Sequence, residues 1–136
     1  MIIQGTSDGA AIILTRGEWS GHPDAANYYF ATIQTGSLDV GQNVYAFDPT
    51  NEGLALFFAG LAEDWQGWDG VRQWSSLEGE FEVACEHDGL GHIGTTARLH
   101  KNRAYGVGWT GEIRFEISAG ELDRIANELK KFFYND

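Results

Sequence analysis

Leu122, Ile125, Ala126, Leu129, Phe132 and Phe133 recur every three or four residues, which predicts a helix with one buried face near the end of the chain. Ser118-Ala-Gly-Glu121 marks its start with capping-box spacing, where a hydroxyl and a carboxylate serve the first free backbone donors. Lys130 and Lys131 stand where the helix dipole favours cations. A second stripe, Leu54, Phe57, Phe58, Leu61 and Trp65, predicts an earlier helix ending at Gly67. Asp48 is its expected cap and Pro49 its first residue, where the missing N–H does no harm.

Elsewhere the apolar residues alternate or cluster with β-branched and aromatic neighbours. Strands are expected over Ala11 to Trp19, Tyr28 to Thr35, Leu38 to Phe47, Leu77 to His87, His92 to His100 and Val107 to Ile117. Turns are expected at Asp8-Gly9 and Gly36, and a loop over Gly21 to Ala26. The hairpin after His87 is given a register by its chemistry. Setting His87 opposite Gly91 leaves Asp88, Gly89 and Leu90 as the loop, with Gly89 at the left-handed position. Cys85 then faces Ile93, Val83 faces Thr95 and Phe81 faces Ala97, while Glu86 meets His92, Glu80 meets Arg98 and Glu78 meets His100. On the next strand Trp109, Ile113, Phe115 and Ile117 point inward, and Glu112, Arg114 and Glu116 outward. The expected architecture is one α+β domain over residues 1–136: an antiparallel sheet of about six strands with two helices packed on one face. The other face is expected to be wet and acidic.

Charge narrows the function classes. With 20 Asp and Glu against 9 Lys and Arg, the net charge is −11, and no Lys/Arg cluster offers a footprint for a phosphate backbone. Nucleic acid is therefore excluded as a partner. The lone cysteine, Cys85, excludes an internal disulfide. The start, Met1-Ile-Ile-Gln-Gly-Thr6, lacks the basic and apolar regions of a signal peptide, and no apolar run approaches bilayer length. A cytoplasmic chain with no membrane partner is expected.

Chemistry concentrates in two stretches. Asp64 to Glu78 carries tryptophans at 65, 68 and 74; Trp65 and Trp74 read as anchors of the connection after the helix, and Trp68, between glycines, as a binding residue. Glu86-His87-Asp88-Gly-Leu-Gly-His92 gathers two histidines and two carboxylates, but the expected register puts the histidines on opposite faces, which argues against a metal. Pairing of His92 with Glu86, and of Asp88 with loop N–H groups, is the structural alternative. Cys85 points inward beside Val83, where a thiol is inert core. There is no GxSxG, GxGxxG or P-loop, so neither catalytic residues nor a cofactor is expected, and the chain reads as no enzyme.

The stretch from Gly53 to Leu99, beginning GLALFFAGLAEDWQGWDGVRQWSSLEGEFEVACEHDGLGHI, resembles a family of small bacterial proteins classed as a domain of unknown function. The shared mark is WxGWxG…WxSLEG…HDGxGH, with Trp109 and Gly120-Glu121 also alike. The resemblance supports the helix and hairpin placement and implies no catalytic residue.

Two readings follow. The first is a protein-binding module, most concretely an immunity protein that neutralises a basic bacterial toxin by occluding its active site, with charge steering the encounter. Its partner-binding residues are Trp68, Asp69, Trp74, Glu78, Glu80, Glu82 and Asp88, with Trp68 as the anchor. The alternative is a small-molecule or carbohydrate binder, or a weak hydrolase, with Trp65, Trp68, Trp74, His87 and Asp88 around a pocket at the sheet end. A homodimer pairing its sheets is a third, purely structural reading.

Overall fold

Alternation of buried and exposed side chains divides the strands into two groups. The computed structural model describes residues 1–6, 9–16, 27–46, 53–101 and 108–134. Strands β1 (Ile2–Gln4), β2 (Ala11–Arg16), β3 (Tyr28–Gln34) and β4 (Asp39–Tyr45) form one four-stranded sheet, and β5 (Val71–Ser75), β6 (Phe81–His87), β7 (His92–Lys101) and β8 (Trp109–Ser118) form another. In both, each strand pairs antiparallel with its sequence neighbour. Helix α1 (Leu54–Glu63) links the sheets, and α2 (Leu122–Tyr134) follows β8 through a 3₁₀ turn at Ala119–Glu121. The chain is thus α+β, with two sheets in place of the expected single sheet of about six strands. The two strands that sequence patterning missed are short: β1 has three residues, and β5, VRQWS, alternates too weakly to be read.

One core joins the parts. Ile12, Leu14, Ala31 and Ile33 of the first sheet cluster with Phe81, Val83, Leu99 and Ile117 of the second, and with Phe58, Leu61, Leu122 and Leu129 of the helices. Of the last apolar stripe, Phe132 and Phe133 lie edge-on to the buried Tyr29 ring, at centroid distances of 6.2 and 5.2 Å. The sheets approach closely at Gly111, where a Cβ atom would lie 2.9 Å from Val40 Cγ2. Two polar ties fasten β4 to the second sheet: Gln42 Nε2 donates to the His100 carbonyl at 2.9 Å, and Tyr45 N–H donates to Glu80 Oε2 at 3.0 Å.

Several local expectations need correcting. Helix α1 starts at Leu54 with Gly53 as its N-cap and ends at Glu63, so Trp65 lies past its end and is exposed. Asp48 and Pro49 lie outside the described residues, as do the turn residue Asp8 and the loop 21–26. Ser118 occupies the N-cap position of the 3₁₀ turn without a side-chain bond, and the Glu121 carboxylate accepts from Arg124 Nε at 2.9 Å rather than turning back to the cap. The expected strand from Leu77 begins only at Phe81; Gly79 N–H bonds the Ser76 carbonyl at 3.0 Å and Ser76 N–H the Phe81 carbonyl at 2.8 Å, closing a turn instead. No helix among the described residues is long and apolar enough to cross a membrane.

The packing makes two glycines behave oppositely. Gly111→Val forces side chains between the sheets and is expected to cost about 1–3 kcal/mol. Gly60 lies inside α1 with open space around its added Cβ. Gly60→Ala is therefore expected to stabilise by roughly 0.5–1 kcal/mol. Urea denaturation of both variants checks the pair of signs.

Candidate functional site

The β6–β7 hairpin closes one residue further along than the sequence implied. His87 pairs with Ile93, Cys85 with Thr95, Val83 with Ala97, Phe81 with Leu99, Glu86 with Gly94 and Glu82 with Arg98. Asp88 is the reason. Its Oδ1 accepts the N–H groups of Leu90 (2.6 Å) and His92 (3.1 Å), and its Oδ2 lies 2.8 Å from His92 Nδ1. Asp88 N–H in turn bonds the His92 carbonyl at 3.0 Å, so the loop is Gly89-Leu-Gly91, with both glycines at positive φ (80° and 92°). Every side chain keeps its face, but the partners change: His92 pairs with Asp88 rather than Glu86, and Arg98 meets Glu82 rather than Glu80. The loop N–H bonds of Asp88 follow the expectation. Those N–H groups hold its carboxyl well below the usual range, at about 2, with the first cause the Leu90 bond.

His87 is fixed on both nitrogens. Gly89 N–H donates to its Nδ1 at 2.8 Å, so Nε2 carries the hydrogen and donates to the Trp65 carbonyl at 2.8 Å. The Trp68 ring meets the imidazole edge-on at 5.2 Å. On Trp68's other flank the Arg72 guanidinium lies 5.0 Å from the indole centroid and pairs with Asp64 at 2.8 Å. Trp68 is thus half-buried in a stack that pins the connection after α1 to β6, and its buried Nε1 makes no hydrogen bond among the described residues.

Trp65 contributes its carbonyl to this stack and leaves its ring outside, 53% exposed. The ring borders a groove of about 850 Å³ at the hairpin end of the second sheet, shared with Leu90, which is 81% exposed, and with Glu116. The roles of the tryptophans are therefore exchanged: Trp68 is packed and Trp65 presented. Trp74 is half-buried on the inner face of β5, edge-on to Phe81 at 5.4 Å.

The outer face of the second sheet has three cross-strand rows: Ser75-Glu82-Arg98-Glu112, Gln73-Ala84-Thr96-Arg114 and Val71-Glu86-Gly94-Glu116. Charge is compensated in the first. Arg98 Nε donates to Glu112 at 3.0 Å and Arg98 also lies 3.5 Å from Glu82, which His100 approaches at 3.2 Å. In the third row Glu86 and Glu116 are exposed on either side of Gly94, about 10 Å apart by strand spacing.

The residues expected to bind a partner are not brought together. Glu80 is taken by Ser76 Oγ (2.7 Å) and Tyr45 N–H, and Glu78 sits exposed in the turn before β6. Asp88 lies at the opposite end of β6, about 26 Å from Glu80 at strand rise. Glu82 is on the outer face, Trp68 and Trp74 are on the inner one, and Asp69 is exposed in the loop before β5. Of the alternative set, Trp65 and His87 border the groove; Trp68 and Trp74 do not. Leu90 and Val71, exposed at the hairpin tip and at the start of β5, are not among the expected binding residues. A leucine isolated between two loop glycines was the one available signal, since nothing local buries it. Among the described residues no group of three or more His, Cys, Asp or Glu could hold a metal ion.

Two titrations follow. Because Asp88 is acidified by folding, its contribution is present above the unfolded value near 4 and is lost as pH falls through about 2. The Leu90 and His92 amide resonances should hold above that window and move within it, and Asp88→Ala should abolish the transition. Cys85 is fully buried and burial pushes its thiol up to about 12, so it should resist thiol reagents at mildly alkaline pH until the chain is unfolded.

No curated protein and no solved structure matches the chain. A family model does, over residues 5–136. The match takes in both sheets from the end of β1 and the whole groove, and by it the chain belongs to DUF6228, a family of unknown function.

Proposed function

We propose that the chain is an acidic protein-binding module, most concretely an immunity-type inhibitor that acts in the cytoplasm by covering the active site of a basic toxin. The observation that carries this reading is the juxtaposition of Trp65, Leu90 and Glu116 on one groove, with Glu86 exposed in the same cross-strand row as Glu116, across Gly94. Exposed aromatic and aliphatic side chains beside uncompensated carboxylates have the anatomy of a protein interface, an apolar centre and a charged rim. The net charge of −11 accelerates encounter with a basic partner, and the two apolar side chains hold it once docked. A small ligand is less well served, because both His87 nitrogens are already engaged and Trp68 and Trp74 lie elsewhere.

The interface is therefore assigned to Trp65, Leu90, Glu86 and Glu116, with Asp69 and Asp88 beside it. Glu80 is a poor probe, since replacing it would cut the tie to Tyr45. Trp65→Ala with Leu90→Ala leaves the Trp65 carbonyl in place. It should weaken capture of a basic protein from the source-cell lysate about tenfold or more, judged by quantitative mass spectrometry. Capture unaffected by that double substitution overturns the assignment. With the captured partner purified, Glu86→Lys plus Glu116→Lys should slow association about tenfold at low salt and much less at high salt. Stopped-flow fluorescence reads both rates.

A further inference from the structure

We infer that the outer edge of β5 is a strand-addition site and that its occupant is an extended basic segment of the partner protein. The inference rests on the protein-binding reading above and specifies how the partner is gripped.

The two sheets have four outer edges, and on two of them outward backbone groups are already taken while a third is very short. On β8 the Glu116 carbonyl accepts Thr6 N–H at 2.9 Å. On β4 the outward N–H groups of Asn43 and Tyr45 are taken by the side chains of Gln42 (2.9 Å) and Glu80 (3.0 Å). Strand β1 is only three residues long. The edge of β5 has no such device. Ser76 N–H bonds the Phe81 carbonyl, and antiparallel alternation then turns the backbone groups of Trp74 and Arg72 toward β6 and those of Val71, Gln73 and Ser75 away from it. None of those three residues' backbone groups is bonded among the described residues. Val71, Gln73 and Ser75 are exposed, and the pairing to β6 runs without a bulge, proline or lysine to blunt it. Such an edge is a template for a further strand.

Charge selects the occupant. Asp69 and Glu78 stand exposed at the two ends of β5, and Glu86 and Glu82 flank it on the outer face. Arg72 is already paired with Asp64. A strand added to β5 would lie about 10 Å from β6, within reach of lysine or arginine side chains directed at Glu86. A second copy would fit worse: antiparallel pairing about Gln73 brings Asp69 of each copy toward Glu78 of the other, between two chains of charge −11.

The test uses the full chain and a synthetic peptide of alternating lysine and valine, with amide hydrogen exchange read by NMR. The peptide should slow exchange at the Val71, Gln73 and Ser75 amides about tenfold or more. The same peptide N-methylated at every residue, which offers no N–H donor on either edge and cannot form the ladder, should not. Gln73→Pro removes one outward donor and no β5–β6 bond, and should abolish the protection; Trp65→Ala with Leu90→Ala should leave it intact. Absence of protection at the three amides, or equal protection by the N-methylated peptide, overturns the inference. Protection that rises with protein concentration alone, with a dimer in sedimentation, also overturns it and makes a second copy the occupant. The captured basic partner separates the two levels. If it binds Gln73→Pro undiminished but loses the Trp65→Ala, Leu90→Ala variant, the edge inference falls and the protein-binding reading stands. If it is indifferent to both, both fall.

Discussion

Two antiparallel meanders share one core, and at one place a strand of each approaches the other without a side chain between them. Gly111 on β8 is that place, with Val40 of β4 filling the room its missing Cβ leaves. Close approach at one point brings polar backbone of both sheets out of water, and each exposed group then needs a partner. Gln42 and Glu80 supply them across the gap, to His100 and Tyr45. A carboxylate that reads in the sequence as one of many surface charges is in this way committed to joining the sheets.

The same logic sorts the rest of the charge. Glu82 and Glu112 are held by Arg98, and Asp88 is held by the N–H groups of its own loop and by His92. Glu86, Glu116, Asp69 and Glu78 are exposed at the hairpin end and on the β5 side of the second sheet and form no ion pair among the described residues, as is also true of Asp39, Glu63 and Asp123 elsewhere.

The helices and six of the strands were legible because their apolar positions repeat with a clear period, and the faces of Phe81, Val83 and Cys85 came out right. The hairpin register did not, although its faces did. A shift of one residue at each end of the loop preserves side-chain parity, so the hydrophobic pattern could not distinguish the two pairings. Only the Asp88 side chain does, by bonding two N–H groups that exist as a set in one loop and not in the other. The split into two sheets was illegible for a related reason. Alternation says which face is buried but not which strand is a neighbour, and β5 carries too few apolar residues to announce itself. The tryptophans failed differently. Trp65 and Trp68 are three residues apart in the same glycine-rich stretch, and their fates are decided by Arg72 and His87, partners that become neighbours only after folding.

These placements are coupled through one backbone group. The Trp65 carbonyl binds His87, which fixes the imidazole tautomer, seats Trp68 and holds the loop N–H of Gly89. The Trp65 ring is thereby turned outward by a bond it takes no part in, and Leu90 is held in a loop whose donors are already satisfied. Leu90 is 81% and Trp65 53% exposed, so each forgoes much of the burial free energy that its apolar surface could contribute. A loop whose geometry is settled by His87 and Asp88 alone would tolerate serine at either position. The backbone of this stretch is thus held by the Trp65 carbonyl, His87 and Asp88, while the Trp65 and Leu90 side chains stand largely in solvent.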